Sequence, residues 1–382
     1  MAETKTKTKA KTETETKTSW PFNFLLFSIA FPVALALVFY QLEPLEPARL
    51  PVHELEGVVA QAPARNDRLL RGSELVGVGA LMEAEDLAYD SEAGVIYTGT
   101  VDGWVKRVGL NNSVVDNWVN TGGRPLGVAL GHANQLIVAD TEKGLLSISE
   151  EGVVELLSDE AEGLKFKLTD GVDVAKDGMI YFTDASHKYS LKDHMWDLLE
   201  GNPNGRFMSY DPSSKQTKVL VRDLYFANGV AVSPDQSSVI FCETIMRRCW
   251  KYHLKGERKG RVDPFIKLLP GMPDNIRYDG EGLYWIALAS EATPAWNLAL
   301  RYPFIRKITA IMERHIGRPN MEKNGGVFAV DLEGKPVYHY YDHALKLIST
   351  GLKIGNHLYC GSIIYPYIIR LNLQDYPARP TT

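Results

Sequence analysis

Apolar and polar residues alternate along this chain in short runs, and turn signals close each run. VIYTGT, LIVAD, MIYFTD, VIFCE, LYWIAL and LYCGS are such runs, rich in β-branched and aromatic residues. Turn formers such as Lys176-Asp177-Gly178 and Asp279-Gly280-Glu281-Gly282 stand before them. A two-residue period bounded in this way predicts strand–turn–strand units. Each unit opens with a small or polar residue and a column residue, followed by a short alternating stretch, a turn and an apolar strand. Copies start at Ala84, Arg124, Thr169, Ala227, Pro273 and Ser349, mostly at spacings of roughly 40–60 residues. Further strands follow, for instance GWVKRVGL, GLLSISEEG, RFMSYDPSSKQTKVLV and RCWKYHLKG. One hairpin cannot bury its own face, so the copies must pack on one another. Four strands per unit and six units predict an all-β fold, a six-bladed β-propeller over residues 76–382.

Two stretches interrupt the pattern. Residues 294–320 lack turn signals, and Ile305, Ile308 and Met312 recur at helical spacing, with Arg306 and Glu313 off that face. They predict a helical insertion: a lid, a helix at a membrane surface, or a helix patching one face of the propeller. The segment from His187 to Gly201 predicts a second lid over the channel mouth.

The N-terminus follows different rules. Residues 1–19 alternate Thr with Lys or Glu and predict a disordered cytosolic arm. Residues 20–40, WPFNFLLFSIAFPVALALVFY, carry no charge and have only Asn23 and Ser28 as polar side chains. That run reaches the roughly 20 apolar residues needed to cross a bilayer, with Trp20 and Tyr40 at its ends. Lysines precede it and acidic residues follow it, so the positive-inside rule places the large domain across the membrane. No A-x-A site follows the run directly, which favours an uncleaved signal-anchor over a cleaved signal peptide. Residues 41–75, with Pro44, Pro47, Pro51 and Pro63, predict an extended linker. The Asn111-Asn112-Ser113 sequon lies between repeats, where a loop would be exposed, and makes Asn111 a candidate glycosylation site in a lumenal domain.

Composition adds limits. The 382 residues are 45% hydrophobic and 23% charged, ordinary for a globular protein, and a net charge of −5 gives no electrostatic case for nucleic-acid binding. Three cysteines are too few for a disulfide scaffold; Cys242 and Cys249 either face each other across a hairpin or remain buried thiols.

The column carries the candidate chemistry. It holds Glu85, Pro125, Asp170, Asn228, Asp274 and Thr350. In a propeller, equivalent positions at the starts of the innermost strands converge on the axis. Three carboxylates there raise one another's pKa, and a hard cation relieves the conflict. Carboxylate and amide oxygens suit Ca²⁺ better than Mg²⁺, with its strict octahedron, or Zn²⁺, which prefers nitrogen and sulfur. The expected metal ligands are therefore Glu85, Asp170, Asn228 and Asp274. The competing reading is that Asp and Asn simply begin strands and turns.

LYFANGVAVSPD, LPGMPDNIRYDGEGLYWIALAS and LTDGVDVAKDGMIYFTDAS, with DLLEGNPNGR and HLYCGS, resemble the strictosidine synthase-like family and its animal relatives, the adipocyte plasma membrane-associated proteins. More distantly, the column resembles that of calcium-dependent propeller hydrolases such as gluconolactonase and paraoxonase. That resemblance implies a Glu, two Asn and an Asp as ligands; they fall on Glu85, Asp170, Asn228 and Asp274, with Asp170 departing from the usual Asn. It also implies that the catalytic Glu of true strictosidine synthase falls on Ser349, which cannot supply a carboxylate. The resemblance thus implies hydrolysis of a small-molecule ester or lactone, with Asp274 as base or nucleophile and His187 as a candidate base from the channel mouth. No G-x-S-x-G elbow occurs. The alternative is a non-catalytic propeller with structural calcium that binds a protein or small ligand. The expected setting is a single-pass protein of the endoplasmic reticulum or vacuole.

Overall fold

The computed structural model describes residue 24 and residues 26–317 and 320–380. The chain divides into two units, Met1–Pro44 and Leu45–Thr382. In the first, a π-helical turn, Leu26–Ala30, leads into helix α1, Phe31–Leu42, whose Pro32 sits in the first turn where no backbone donor is needed. No α1 residue is buried. The arm at 1–19 lies outside the described residues, as does the start of the 20–40 segment. Among the described residues, no helix is long and apolar enough to cross a membrane.

The second unit is a six-bladed propeller of four-stranded antiparallel blades, the fifth extended by a strand that joins in parallel. The innermost strands are Ala88–Asp90, Pro125–Leu130, Thr169–Val174, Ala227–Val232, Gly271–Tyr278 and Ile348–Ile354. In five of them the register shifts near the column position, between Pro125 and Val128, Thr169 and Val172, Ala227 and Val230, Pro273 and Ile276, and Ile348 and Thr350. Such bulges re-aim a side chain out of the ladder. The glycine next to the column has a packing reason. A Cβ on Gly171 would lie 2.8 Å from the Asn228 carbonyl oxygen, and one on Gly229 2.6 Å from that of Asp274. The D-G and N-G pairs of the repeat therefore let neighbouring blades approach at the axis.

Closure differs from expectation. Of the stretch 41–75, read from sequence as a linker, the part from Leu45 on is built into the propeller unit. Strand Glu74–Val76 is the outer strand of the sixth blade, with Leu75 opposite Ile369. Strand Ala64–Asn66 joins the fifth sheet beside Pro336–Tyr341, and Leu45, Leu50, Ala62 and Leu69 are buried. Three-residue strands carry too little alternation to register as a period. Blade faces pack through aromatic contacts such as Phe207 on Phe241, centroids 4.6 Å apart. Cys242 and Cys249, opposite each other on adjacent strands, form a disulfide. Cys360 is a buried thiol whose pKa burial pushes up to about 12.

Both interruptions are helical. Helix α2, His194–Glu200, ends on Gly201 in a left-handed conformation. Helices α3, Pro294–Arg301, and α4, Pro303–His315, each start with proline, and the Thr293 hydroxyl accepts from the Trp296 N–H to cap α3. The buried face of α4 is not the expected one. Ile308 is 44% exposed, whereas Arg306, Lys307, Thr309 and Ala310 are buried. Arg306 donates to the carbonyls of Leu199 (3.1 Å), Glu200 (2.9 Å) and Ala299 (3.0 Å), satisfying orphan acceptors at the ends of α2 and α3. Periodicity could not anticipate an arginine chosen by helix-end carbonyls.

His339, on an outer strand of the fifth blade, stacks on Tyr341 and meets Phe328 edge-on, and its Nε2 has no partner. Burial, then the Arg65 charge, lowers its pKa to about 3. The unfolded chain therefore takes up a proton near pH 6.5 that the folded chain refuses. This contribution is complete above pH 6.5 and is lost as pH falls towards 3. Urea titrations at pH 7 and 4.5 should show wild type losing about 1–3 kcal/mol more than His339→Phe over that interval.

Candidate metal-binding active site

Glu85, Asp170, Asn228 and Asp274 come from four blades and are 2, 3, 4 and 8% exposed. They share one chamber of about 100 Å³ at the end of the channel where the innermost strands begin. Its apolar wall includes Leu126, Phe226 and Met272 from the blades, Leu198 from α2 and Trp296 from α3. Helices α2 and α3 thus roof the polar floor, which agrees with the lid among the readings left open for residues 294–320.

The floor is incompletely satisfied. Glu85 Oε1 accepts from Asn275 Nδ2 at 2.6 Å, while its Oε2 has no partner. Asn228 donates to the Thr244 hydroxyl at 3.4 Å, while its Oδ1 has none. Burial, then the Arg124, Asn275 and Arg277 contributions that partly offset it, leaves the Glu85 pKa at about 7. Asp170 is raised well above the usual range by burial, then by Glu85 and Asp274; Asp274 is raised by burial, then by Glu85. These groups gain from a positive charge. Two orphaned buried oxygens in a carboxylate-rich donor set fit a hard cation with a loose shell completed by water. Among the described residues, no group of three or more His, Cys, Asp or Glu side chains is gathered tightly enough to hold an ion.

The remaining column positions do other work. Thr350 donates to Asp86 Oδ1 at 3.0 Å. Asp86 is fully buried and faces Arg277, which donates to it through Nε and Nη2. Arg277 also donates to the carbonyls of Val128 (2.7 Å) and Val172 (3.3 Å), and Asp86 Oδ2 accepts from the Val128 N–H (3.1 Å). This ion pair ties five blades together below the chamber. Sequence reasoning passed over it because only Arg277, an arginine among apolar strand residues, hinted at it.

Ser349 is buried and donates to the Glu85 carbonyl at 2.5 Å, so a neutral, committed hydroxyl stands where a carboxylate was in question. His187 is not among the residues lining the chamber; its Nδ1 lies 2.6 Å from the Asn204 carbonyl. The histidine on the chamber wall is His194, seven residues further along the insertion and the first residue of α2. Asn111 is exposed at the turn joining two strands of the first blade.

The chain matches the strictosidine synthase family model over residues 170–257 and the strictosidine synthase-like N-terminal model over residues 64–108. It is 52% identical over 363 residues to the protein strictosidine synthase-like 6 of Arabidopsis thaliana, covering 94% of this chain and 97% of that one. It is 33% identical to the adipocyte plasma membrane-associated protein of Rattus norvegicus, covering 74% of this chain and 81% of that one. Among solved structures, a gluconolactonase from Xanthomonas campestris superposes with a TM-score of 0.58 at 15% identity, covering 83% of this chain and 97% of that one. Regucalcin from Agrobacterium tumefaciens, described as a calcium-binding protein, gives 0.55 at 15% identity, covering 81% and 95%. At that identity the likeness establishes the fold.

Proposed function

Because the chain belongs to the strictosidine synthase-like family, we propose that its propeller is a calcium-dependent hydrolase of small esters or lactones, held at a membrane by its N-terminal segment. One observation carries the reading. Four oxygen-bearing side chains from four blades line one chamber under an apolar roof, and Glu85 Oε2 and Asn228 Oδ1 have no protein partner. Gluconolactonase and calcium-binding neighbours of the same fold support it.

Glu85, Asp170, Asn228 and Asp274 would hold the ion, whose chemistry is Lewis-acid polarisation of a carbonyl oxygen. Leu126, Phe226 and Trp296 would take the apolar part of the substrate and exclude bulk water. Asp274 would act as base on a water, or attack directly to give an acyl-aspartate that a second-step water hydrolyses; by either route the acyl C–O bond breaks and one water is consumed to give an acid and an alcohol. A condensing role is disfavoured, since Ser349 offers no carboxylate and its hydroxyl is engaged.

Turnover of an aryl ester by the full chain should fall to background in excess chelator and return with Ca²⁺, while circular dichroism stays that of a folded β protein. Calcium binding without turnover of any ester or lactone would favour the second reading, a ligand-binding propeller with structural calcium, because fold alone does not fix chemistry.

The membrane reading rests on helix α1, whose Phe31, Leu35, Leu37 and Leu42 are exposed, and on lysines before and acidic residues after the apolar run. The Cys242–Cys249 disulfide and the exposed Asn111 suit an oxidising, glycosylating lumen such as the endoplasmic reticulum or vacuole.

A further inference from the structure

The turn at residues 244–247 joins strands Ser238–Glu243 and Arg248–His253 of the fourth blade. Its Ile245 and Met246 are buried in an apolar cluster with Leu126, Phe226 and Leu300, which fixes the turn against α3. Arg247 ends the turn in a left-handed conformation, φ 50°, and is only 3% exposed. Its guanidinium is poorly partnered. Nη1 donates to the Leu269 carbonyl at 3.5 Å, and Nε has no partner. The acids nearby are taken. Glu243 pairs with Arg248, Glu54 with Arg248 and Lys267, and Glu56 with Arg301 at 3.3 Å. Burial alone lowers the Arg247 pKa, with no carboxylate opposing it. A buried charge is costly unless it is paired.

Arg247 lines a cavity of about 340 Å³, distinct from the metal chamber. Val52, Leu55, Pro270 and Leu300 give that cavity apolar walls. Helix α3 is the partition: Trp296 lines the chamber, whereas Leu300 lines this cavity. Small-molecule sites span about 300–1,000 Å³ and combine apolar walls with a few fixed polar groups. We propose that the cavity binds a small organic carboxylate, with its charged end on the Arg247 guanidinium and its apolar body against Leu55, Pro270 and Leu300. A carboxylate supplies the one negative charge that Arg247 lacks and matches the planar fork of arginine. A phosphate dianion would need a second uncommitted cation, and Arg301, the other cation on the wall, already serves Glu56. A neutral ligand would leave the guanidinium unpaired. None of these residues belongs to the calcium set, so the site stands whether or not the chamber hydrolyses esters.

Ligand-detected NMR titration of phenylacetate into the chelator-stripped full chain tests this, because stripping removes any route through calcium. Wild type should bind phenylacetate about tenfold or more tightly than its neutral analogue 2-phenylethanol or inorganic phosphate. Arg247→Met should fold, since the side chain gives up one long hydrogen bond and an unpaired buried charge, and should bind phenylacetate about tenfold or more weakly. Val59→Trp, at a lining position 38% exposed, should cause a similar loss by filling the cavity with the arginine in place. No phenylacetate binding by the folded wild type would overturn the proposal. So would binding that either variant retains unchanged, or equal binding of 2-phenylethanol or phosphate.

Discussion

Replacing Arg277 by methionine is expected to lower the stability of the propeller by about 3–5 kcal/mol, because it strands the Asp86 carboxylate in the interior. Asp86 is 0% exposed. Two of its four side-chain and backbone donors from other blades, the Nε and Nη2 of Arg277, would disappear, leaving the Val128 N–H and the Thr350 hydroxyl. The carbonyls of Val128 and Val172 would also lose a donor. Burial lowers the Arg277 pKa to about 10, with Glu85 opposing, so the guanidinium stays charged at neutral pH. Much of the pair's electrostatic gain offsets its own desolvation. The double variant Arg277→Met with Asp86→Leu should therefore recover a large part of the loss. Chemical denaturation of wild type, both single variants and the double variant checks this. Additive losses would mean that the pair is not the tie between blades described above.

Asp274→Asn is expected to reduce ester turnover by about 10²–10⁴-fold while leaving the apoprotein as stable as wild type or more so. The two effects have opposite signs for one reason. The carboxylate is buried beside Glu85, and both burial and that neighbour disfavour its charge. A neutral amide of the same shape removes that conflict, and removes with it the charge that a cation and a base both require. A merely structural Asp274 would lose stability on substitution and leave turnover to fall only in proportion to unfolded protein. Calorimetric melting alongside initial rates separates the two cases.

How far the sequence carried these conclusions depended on periodicity. Six copies of one strand–turn–strand pattern gave the propeller, and the shared column placed Glu85, Asp170, Asn228 and Asp274 on one chamber. The glycines after Asp170 and Asn228 were visible in the repeat, but their packing reason, a neighbouring blade's carbonyl under 3 Å away at Gly171 and Gly229, needed coordinates. Non-local partners were invisible. The Glu74–Val76 strand pairs with residues almost 300 positions later, and nothing local marks Asp86 as the partner of Arg277. Helix α4 misled for a related reason: its buried arginine answers carbonyls on α2 and α3, so Ile308 is left exposed while Ile305 and Met312 are only half-buried. His187 drew attention as a histidine near the mouth, yet the helix starts only at His194, and that residue takes the wall position.

The most direct test is a calorimetric titration of Ca²⁺ into chelator-stripped full chain, run beside Glu85→Gln and Asn228→Ala. The account predicts one calcium per chain for wild type and at least tenfold weaker binding, about 1.4 kcal/mol or more, for each variant. No calcium binding by the folded wild-type chain, or binding that both variants retain unchanged, would contradict it.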